Sequence, residues 1–170
     1  LQPLTTPNDP GIVNQWHYAE EPGMNARAAW DLTTGDPDVV VAIIDTGHDA
    51  DHPDLVSKVA RGGYDFITDL DNAQDGDGPD SNPADAIKNG HGTHVAGTVA
   101  ADTDNNLGVA GVGWETTYLP LRVCGVFGCT EADICEAVYY AAGYETVAGP
   151  GQRKARAAVI NMSLGGHDAC

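Results

Sequence analysis

Val39-Val40-Val41-Ala42-Ile43-Ile44 is an apolar run without alternation, and it ends abruptly in Asp45-Thr46-Gly47. A strand that is apolar on both faces needs cover on both faces. That is the condition of a central parallel strand in an α/β protein, not of an antiparallel sheet with one wet side. Asp45 then stands at the carboxyl end of a buried strand, where open α/β sheets place their reacting groups. A carboxylate buried there is costly unless it is paired, so a donor must come from elsewhere in the chain.

The donor with the best context is in Asn89-Gly90-His91-Gly92-Thr93-His94-Val95-Ala96-Gly97-Thr98-Val99-Ala100-Ala101, a polar loop running into small and apolar residues at helical spacing. Thr93 or the residues just before it can supply the oxygen that a helix start requires, and Gly92 and Gly97 permit close backbone approach. Val95, Val99 and the intervening alanines then face a core. His91 is presented at the helix entrance, where an imidazole with one nitrogen turned to a cleft can act as a general base near neutral pH.

A third segment, Val159-Ile160-Asn161-Met162-Ser163-Leu164-Gly165-Gly166, completes an ordered set with the strand ending in Asp45-Thr46-Gly47 and the His91-Gly92-Thr93-His94 helix. All three motifs, in this order and spacing, resemble those of subtilisin-like serine proteases of the thermitase-like, extracellular branch. The resemblance implies an α/β fold with three layers, a central, mostly parallel sheet flanked by helices. It implies that Asp45 is the acid and His91 the base of a Ser-His-Asp triad, in the chain order known for subtilisin itself. The family's serine lies downstream in a Gly-Thr-Ser-Met-Ala segment, which does not occur in these 170 residues. The expected organisation is therefore an N-terminal arm over residues 1–24 and, over 25–170, the N-terminal half of a catalytic domain. The remainder, as a second chain or a missing segment, is then an expected partner, alongside protein or peptide substrates.

Charge narrows the function classes. With 8 Lys and Arg against 25 Asp and Glu, the formal net charge is −17, which argues against nucleic acid and anionic membrane surfaces and favours cation binding. No apolar run approaches the roughly 20 residues that span a bilayer. Leu1-Gln2-Pro3-Leu4 carries no charged leader region, so the chain reads as a mature, secreted product. Cys124, Cys129, Cys135 and Cys170 fit neither a Cys-x-x-Cys redox site nor a zinc ribbon, and disulfides in an exported protein are the better reading, with free buried thiols as the plain alternative. Three pairings are open. In the resembling family the segments holding Cys129 and Cys170 both flank the substrate cleft, which favours Cys129 with Cys170 and Cys124 with Cys135.

Residues 1–24, rich in Pro, Asn, Asp and Gly, are expected to form an irregular arm on the surface. Pro7-Asn8-Asp9-Pro10 with Gln15-Trp16 resembles the arm of thermitase-like enzymes, in which the aspartate binds calcium. His52-Pro53-Asp54-Leu55 matches a family loop and makes Asp54 a second ligand. Asp102-Thr103-Asp104-Asn105-Asn106-Leu107-Gly108-Val109 resembles the family's strong calcium loop, so Asp102, Asn105, Leu107 and Val109 complete the expected first Ca2+ site; a plain turn at Asn-Asn-Gly is the alternative. His48 and His52, in the same polar stretch, read as solvated surface histidines. After the short strand Tyr64-Asp65-Phe66-Ile67 comes an acidic loop with no Lys or Arg before Lys88. Such a like-charge run invites a cation, and by resemblance Asp65, Asp69 and Asp71 are the candidates for a second Ca2+; a solvated acidic loop is the alternative.

Tyr118 to Val123 reads as another buried strand, Glu131 to Gly143 as a helix, Gly149 to Lys154 as a loop and Ala157 to Met162 as a further strand. By resemblance, Gly128-Cys129-Thr130 and Ser163-Leu164-Gly165 form the two edges that hold a peptide substrate by main-chain hydrogen bonds. The expected activity is endopeptidase acyl transfer. A non-catalytic calcium-binding module is the rival from another class. Asp45-Thr46-Gly47 is also an aspartic-protease sequence, but that chemistry needs a second such loop. A zinc-protease helix wants a glutamate between paired histidines, and none lies between His91 and His94.

Overall fold

The computed structural model describes residues 5–144 and 157–166; the loop expected over 149–154, Leu1–Leu4 and Cys170 lie outside the described residues. In chain order the strands are β1 (Val40–Asp45), β2 (Tyr64–Asp65), β3 (Thr117–Arg122), β4 (Cys124–Gly125), β5 (Gly128–Cys129) and β6 (Val159–Asn161). The helices are α1 (Ala26–Trp30), α2 (Leu70–Ala73), α3 (His91–Ala100) and α4 (Glu131–Ala141). Four strands form one sheet in the order β2-β3-β1-β6, every pairing parallel.

β1 is central, with Val40 to Asp45 opposite Thr117 to Arg122 on one side and Val41 to Ile43 opposite Val159 to Asn161 on the other. Its unbroken apolar run is explained by the period-2 alternation of a strand covered twice. Ala42 and Ile44 pack with Tyr64, Phe66, Leu119, Leu121 and the α4 residues Ala137, Tyr140 and Ala141. Val41 and Ile43 point the other way, to Leu55, Tyr118 and the α3 residues Ala96 and Ala100. Helix, sheet and helix thus make the expected three layers.

Pro120 sits inside β3, where a proline removes a ladder donor. The Tyr118 carbonyl accepts from Ala60 N and the Arg122 carbonyl from Phe66 N, so residues 118, 120 and 122 turn to the β2 side. There Pro120 meets the turn at Gly63, whose added Cβ would lie 3.1 Å from the proline ring, and no donor is needed.

The N-terminal arm runs over the surface, with Val13 and Trp16 largely exposed, but it is anchored at a few buried side chains. After 3-10 turns at Pro10–Asn14 and Trp16–Tyr18, Tyr18 is buried with Ala26, Trp30 and Ala110. The arm is also zipped by polar contacts: Gln15 exchanges two bonds with the Ala110 backbone, and Tyr18 Oη donates to the Ala110 carbonyl at 2.9 Å. The acidic loop is not wholly irregular either. Asp69 Oδ1 accepts from Asp71 N at 3.0 Å and caps the single turn of α2.

Candidate active site

Asp45 closes β1 and is only 2% exposed. Its Oδ1 accepts from Thr46 N at 2.7 Å and lies 2.7 Å from His91 Nδ1, while Oδ2 is buried without a partner among the described residues. The carboxylate can only accept, so Nδ1 carries the proton and the lone pair of His91 resides on Nε2. The His91 side chain is half exposed, which leaves that nitrogen open. A neutral imidazole oriented by a buried carboxylate, with its other nitrogen accessible, is equipped to take a proton from a nucleophile and return it to a leaving group.

The approach of the two residues has a backbone cause. Gly92 meets the turn after β1 so closely that a Cβ there would lie 2.1 Å from the Gly47 carbonyl oxygen. The residue at the helix start is Gly90, in the left-handed region with φ +78° and no capping side chain of its own. The exposed N–H groups are met instead by Asn89 Oδ1 at His91 N and by Thr46 Oγ1 at Gly92 N, 3.0 Å away. Thr93 is thus not the cap; its hydroxyl accepts from Asp49 N. Gly97 faces open space and supports no close approach.

The two segments expected to hold a substrate leave the sheet at the end where Asp45 stands. Arg122 is the register partner of Asp45, and the chain continues from β3 into the β4-β5 hairpin and then to Thr130, which caps α4 through Asp133 N. Gly128, Cys129 and Thr130 are all exposed. Among the described residues β5 pairs with β4 alone. On the other side of β1, Ser163 and Gly165 follow β6 and are exposed, Leu164 is half buried against the core, and Ser163 Oγ donates to Asn161 Oδ1.

The expected cysteine pairing is corrected. Cys124 and Cys129 are direct cross-strand partners in the hairpin and are joined by a disulfide, so Cys129 is not left for Cys170, and Cys135 on α4 is not the partner of Cys124 but an exposed thiol without a partner among the described residues. The five-residue separation is closed by a tight turn, with Gly128 at φ +99°, that sequence spacing alone does not display.

The residues expected at the first calcium site converge. Asp9 and Asp54, 1% and 2% exposed, both face the 104–109 loop: Asp9 accepts from Asp104 N and Asn105 N, and Asp54 from Asn105 Nδ2 and Val109 N. Asn105 Oδ1 accepts from Leu107 N, and Asp102 sits beside Ser57, whose hydroxyl donates to it. Neither buried carboxylate has a Lys, Arg or His partner among the described residues. Two buried anions brought together beside one loop are the donor type a hard cation takes, although the loop groups that face them are N–H donors. No cluster of three or more His, Cys, Asp or Glu side chains suited to a metal occurs among the described residues, so amide and carbonyl oxygens would have to complete any set.

The expected second calcium set is corrected at Asp65. Its Oδ1 accepts from Ile67 N and its Oδ2 from the guanidinium of Arg122, which is fully buried and also binds Asp75 and the Ala73 carbonyl. A cation is already in place there, and it is an arginine. Asp69 is spent on capping α2, and Asp71 is exposed. His48 is likewise not a solvated residue: it is 5% exposed, with Nδ1 2.9 Å from Tyr118 Oη, and burial holds it below the usual histidine range.

Two contributors lie outside the residues expected from sequence: Thr46, which sits within the Asp45-Thr46-Gly47 motif, and Arg122, a cation in an apolar strand and so a visible signal of a buried pair.

The sequence matches the model of the subtilase family over residues 36–169. It is 43% identical to an extracellular protease of Xanthomonas campestris, over 100% of this chain and 32% of that protein. It is 37% identical to thermitase of Thermoactinomyces vulgaris, over 95% of this chain and 48% of thermitase. A solved structure of a protease from Pseudoalteromonas arctica matches with TM-score 0.87 at 42% identity, over 98% of this chain and 52% of that one. The chain therefore spans about a third to a half of the length of these relatives.

Proposed function

The chain belongs to the subtilase family, and from that premise we propose that it supplies the acid and the base of a Ser-His-Asp endopeptidase, Asp45 and His91, to a serine carried outside residues 1–170. The observation that carries this reading is the 2.7 Å contact between a buried Asp45 and a half-exposed His91. His91 Nε2 takes the proton of the serine hydroxyl as its oxygen attacks the peptide carbonyl. The proton then passes to the leaving amine, and the same imidazole activates the water that releases the acyl group. Asp45 stays ionised and steadies the imidazolium. The extended peptide lies along Gly128-Cys129-Thr130 and Ser163-Leu164-Gly165, held by main-chain bonds.

Calcium at Asp9, Asp54 and the 102–109 loop is part of this reading; bound there, it would neutralise the two buried carboxylates and tie the arm to the core. Export to the extracellular space is supported by the Cys124–Cys129 disulfide and the extracellular Xanthomonas relative.

The test is labelling of the full-length protein by an organophosphate serine reagent. A serine outside these 170 residues is expected to react, and His91→Ala is expected to lower kcat by about six orders of magnitude, the loss known for subtilisin itself. A correctly folded full-length protein that neither labels nor cleaves would instead be a non-catalytic, calcium-dependent module.

A further inference from the structure

We propose that Asn72 is a positioning residue for substrate binding, which holds the β4-β5 hairpin so that its free edge stands ready to pair with an extended peptide. The proposal rests on the protease reading above. Asn72 lies on the one-turn helix α2, remote in sequence from the hairpin, and is 3% exposed. All three of its available polar groups go to the hairpin turn. Oδ1 accepts from Phe127 N at 2.7 Å, Nδ2 donates to the Gly128 carbonyl at 3.1 Å, and its own carbonyl accepts from Val126 N at 3.1 Å.

Contact is close enough that a Cβ at Gly125 would lie 2.0 Å from the Asn72 carbonyl oxygen. α2 is itself held: Asp69 caps its start, and the buried Arg122 guanidinium binds the Ala73 carbonyl next to Asn72. The disulfide closes the hairpin at its base, but it leaves the turn at Val126 to Gly128 free to tilt. Asn72 removes that freedom. Gly128 is the first residue of β5, so the side chain that binds its carbonyl also sets where the outer edge of β5 lies. A two-residue strand with an exposed edge binds a peptide well only if it is already in place, because the ordering is otherwise charged against binding.

The residue acts through backbone and touches no reacting atom, so its loss should separate binding from chemistry. In the full-length enzyme, Asn72→Asp keeps an acceptor for Phe127 N but sets an oxygen against the Gly128 carbonyl, and Asn72→Ala removes both side-chain bonds. For peptide substrates with four residues before the scissile bond, each is expected to raise KM about five- to tenfold, with kcat within about twofold. A single-residue ester, too short to reach the hairpin, should show no rise. An unchanged KM for the long peptides, or equal losses in KM and kcat on long and short substrates alike, would overturn the proposal. Should Asn72→Ala not fold, Asn72→Asp decides by the same criterion. Failure of the unmodified enzyme to label with the serine reagent would sink the protease reading instead, and is read in a separate experiment.

Discussion

The buried carboxylates Asp45, Asp9, Asp54 and Asp65 are each met by a specific partner, and the partners differ. Asp45 is met by His91, Asp9 and Asp54 by backbone N–H groups and the Asn105 amide, and Asp65 by Arg122. At Asp65 burial outweighs the pull of Arg122 and pushes the carboxyl up to about 7. In spite of its own partial burial Asp75, which shares the guanidinium with Asp65, is held below the usual carboxylate range. The neutral description of the cluster is one cation, one carboxylate and one carboxylic acid. The consequence for stability has a definite sign. The unfolded chain gives up the Asp65 proton near the ordinary value of 3.8, whereas the folded chain keeps it to about 7. The contribution of Asp65 is therefore full below about pH 4, falls as the pH rises from there, and is gone above about pH 7. Asp65→Asn, which cannot titrate, should flatten this part of the profile. Urea unfolding of both proteins at pH 4, 5.5 and 7.5 measures it, and parallel profiles would refute the assignment.

At the scale of elements, α3 and the hairpin illustrate two ways in which backbone shape sets side-chain position. α3 buries Ala96 and Ala100 and only half buries Val95 and Val99, so its small residues, more than its large ones, allow it to lie close on the sheet. Its first turn is brought to the end of β1 by Gly92. Gly92→Ala forces a methyl group into the Gly47 carbonyl; it is expected to destabilise the protein by about 1–3 kcal/mol, the range for overpacking a tight site. It should also lower kcat by displacing His91, and an Ala variant with unchanged unfolding midpoint and kcat would show that the contact is not tight. The resemblance to subtilases pointed to the wrong cysteine partners because it weighed which segments flank a cleft, while the hairpin register was decided by a local turn.

At the scale of the whole molecule, residues far apart in sequence are gathered at two places: the carboxyl end of the sheet, and the junction of the arm with the 102–109 loop. At the junction, Asp9, Asp54 and Asn105 meet across almost a hundred residues of chain, with Asn105 bonded to both carboxylates. Removal of divalent cations should therefore loosen the arm first. With calcium at about a hundred times its Kd, binding contributes about 2.7 kcal/mol. EGTA is expected to lower the Tm of the full-length protein, and Asp54→Asn to remove most of that response. Equal melting with and without chelator would mean that the N–H donors alone suffice for the two carboxylates.

The amino-acid sequence by itself determined the layers of this fold and the identity of its candidate acid and base. An unbroken apolar strand demands two covered faces, a small-residue helix begins at His91, and a second helical pattern runs from Glu131 to Gly143; each is a short-range pattern legible over ten residues or so. The pairing of His91 with Asp45 was legible from the motifs, but only the tertiary structure decided the others: Arg122 with Asp65 and Asp75, Cys124 with Cys129, and Asn72 with the hairpin turn. Those pairings depend on distances across closed loops and on the register between strands. No periodicity in the chain encodes such distances, so a buried carboxylate shows its need for a partner in sequence but finds that partner only in space.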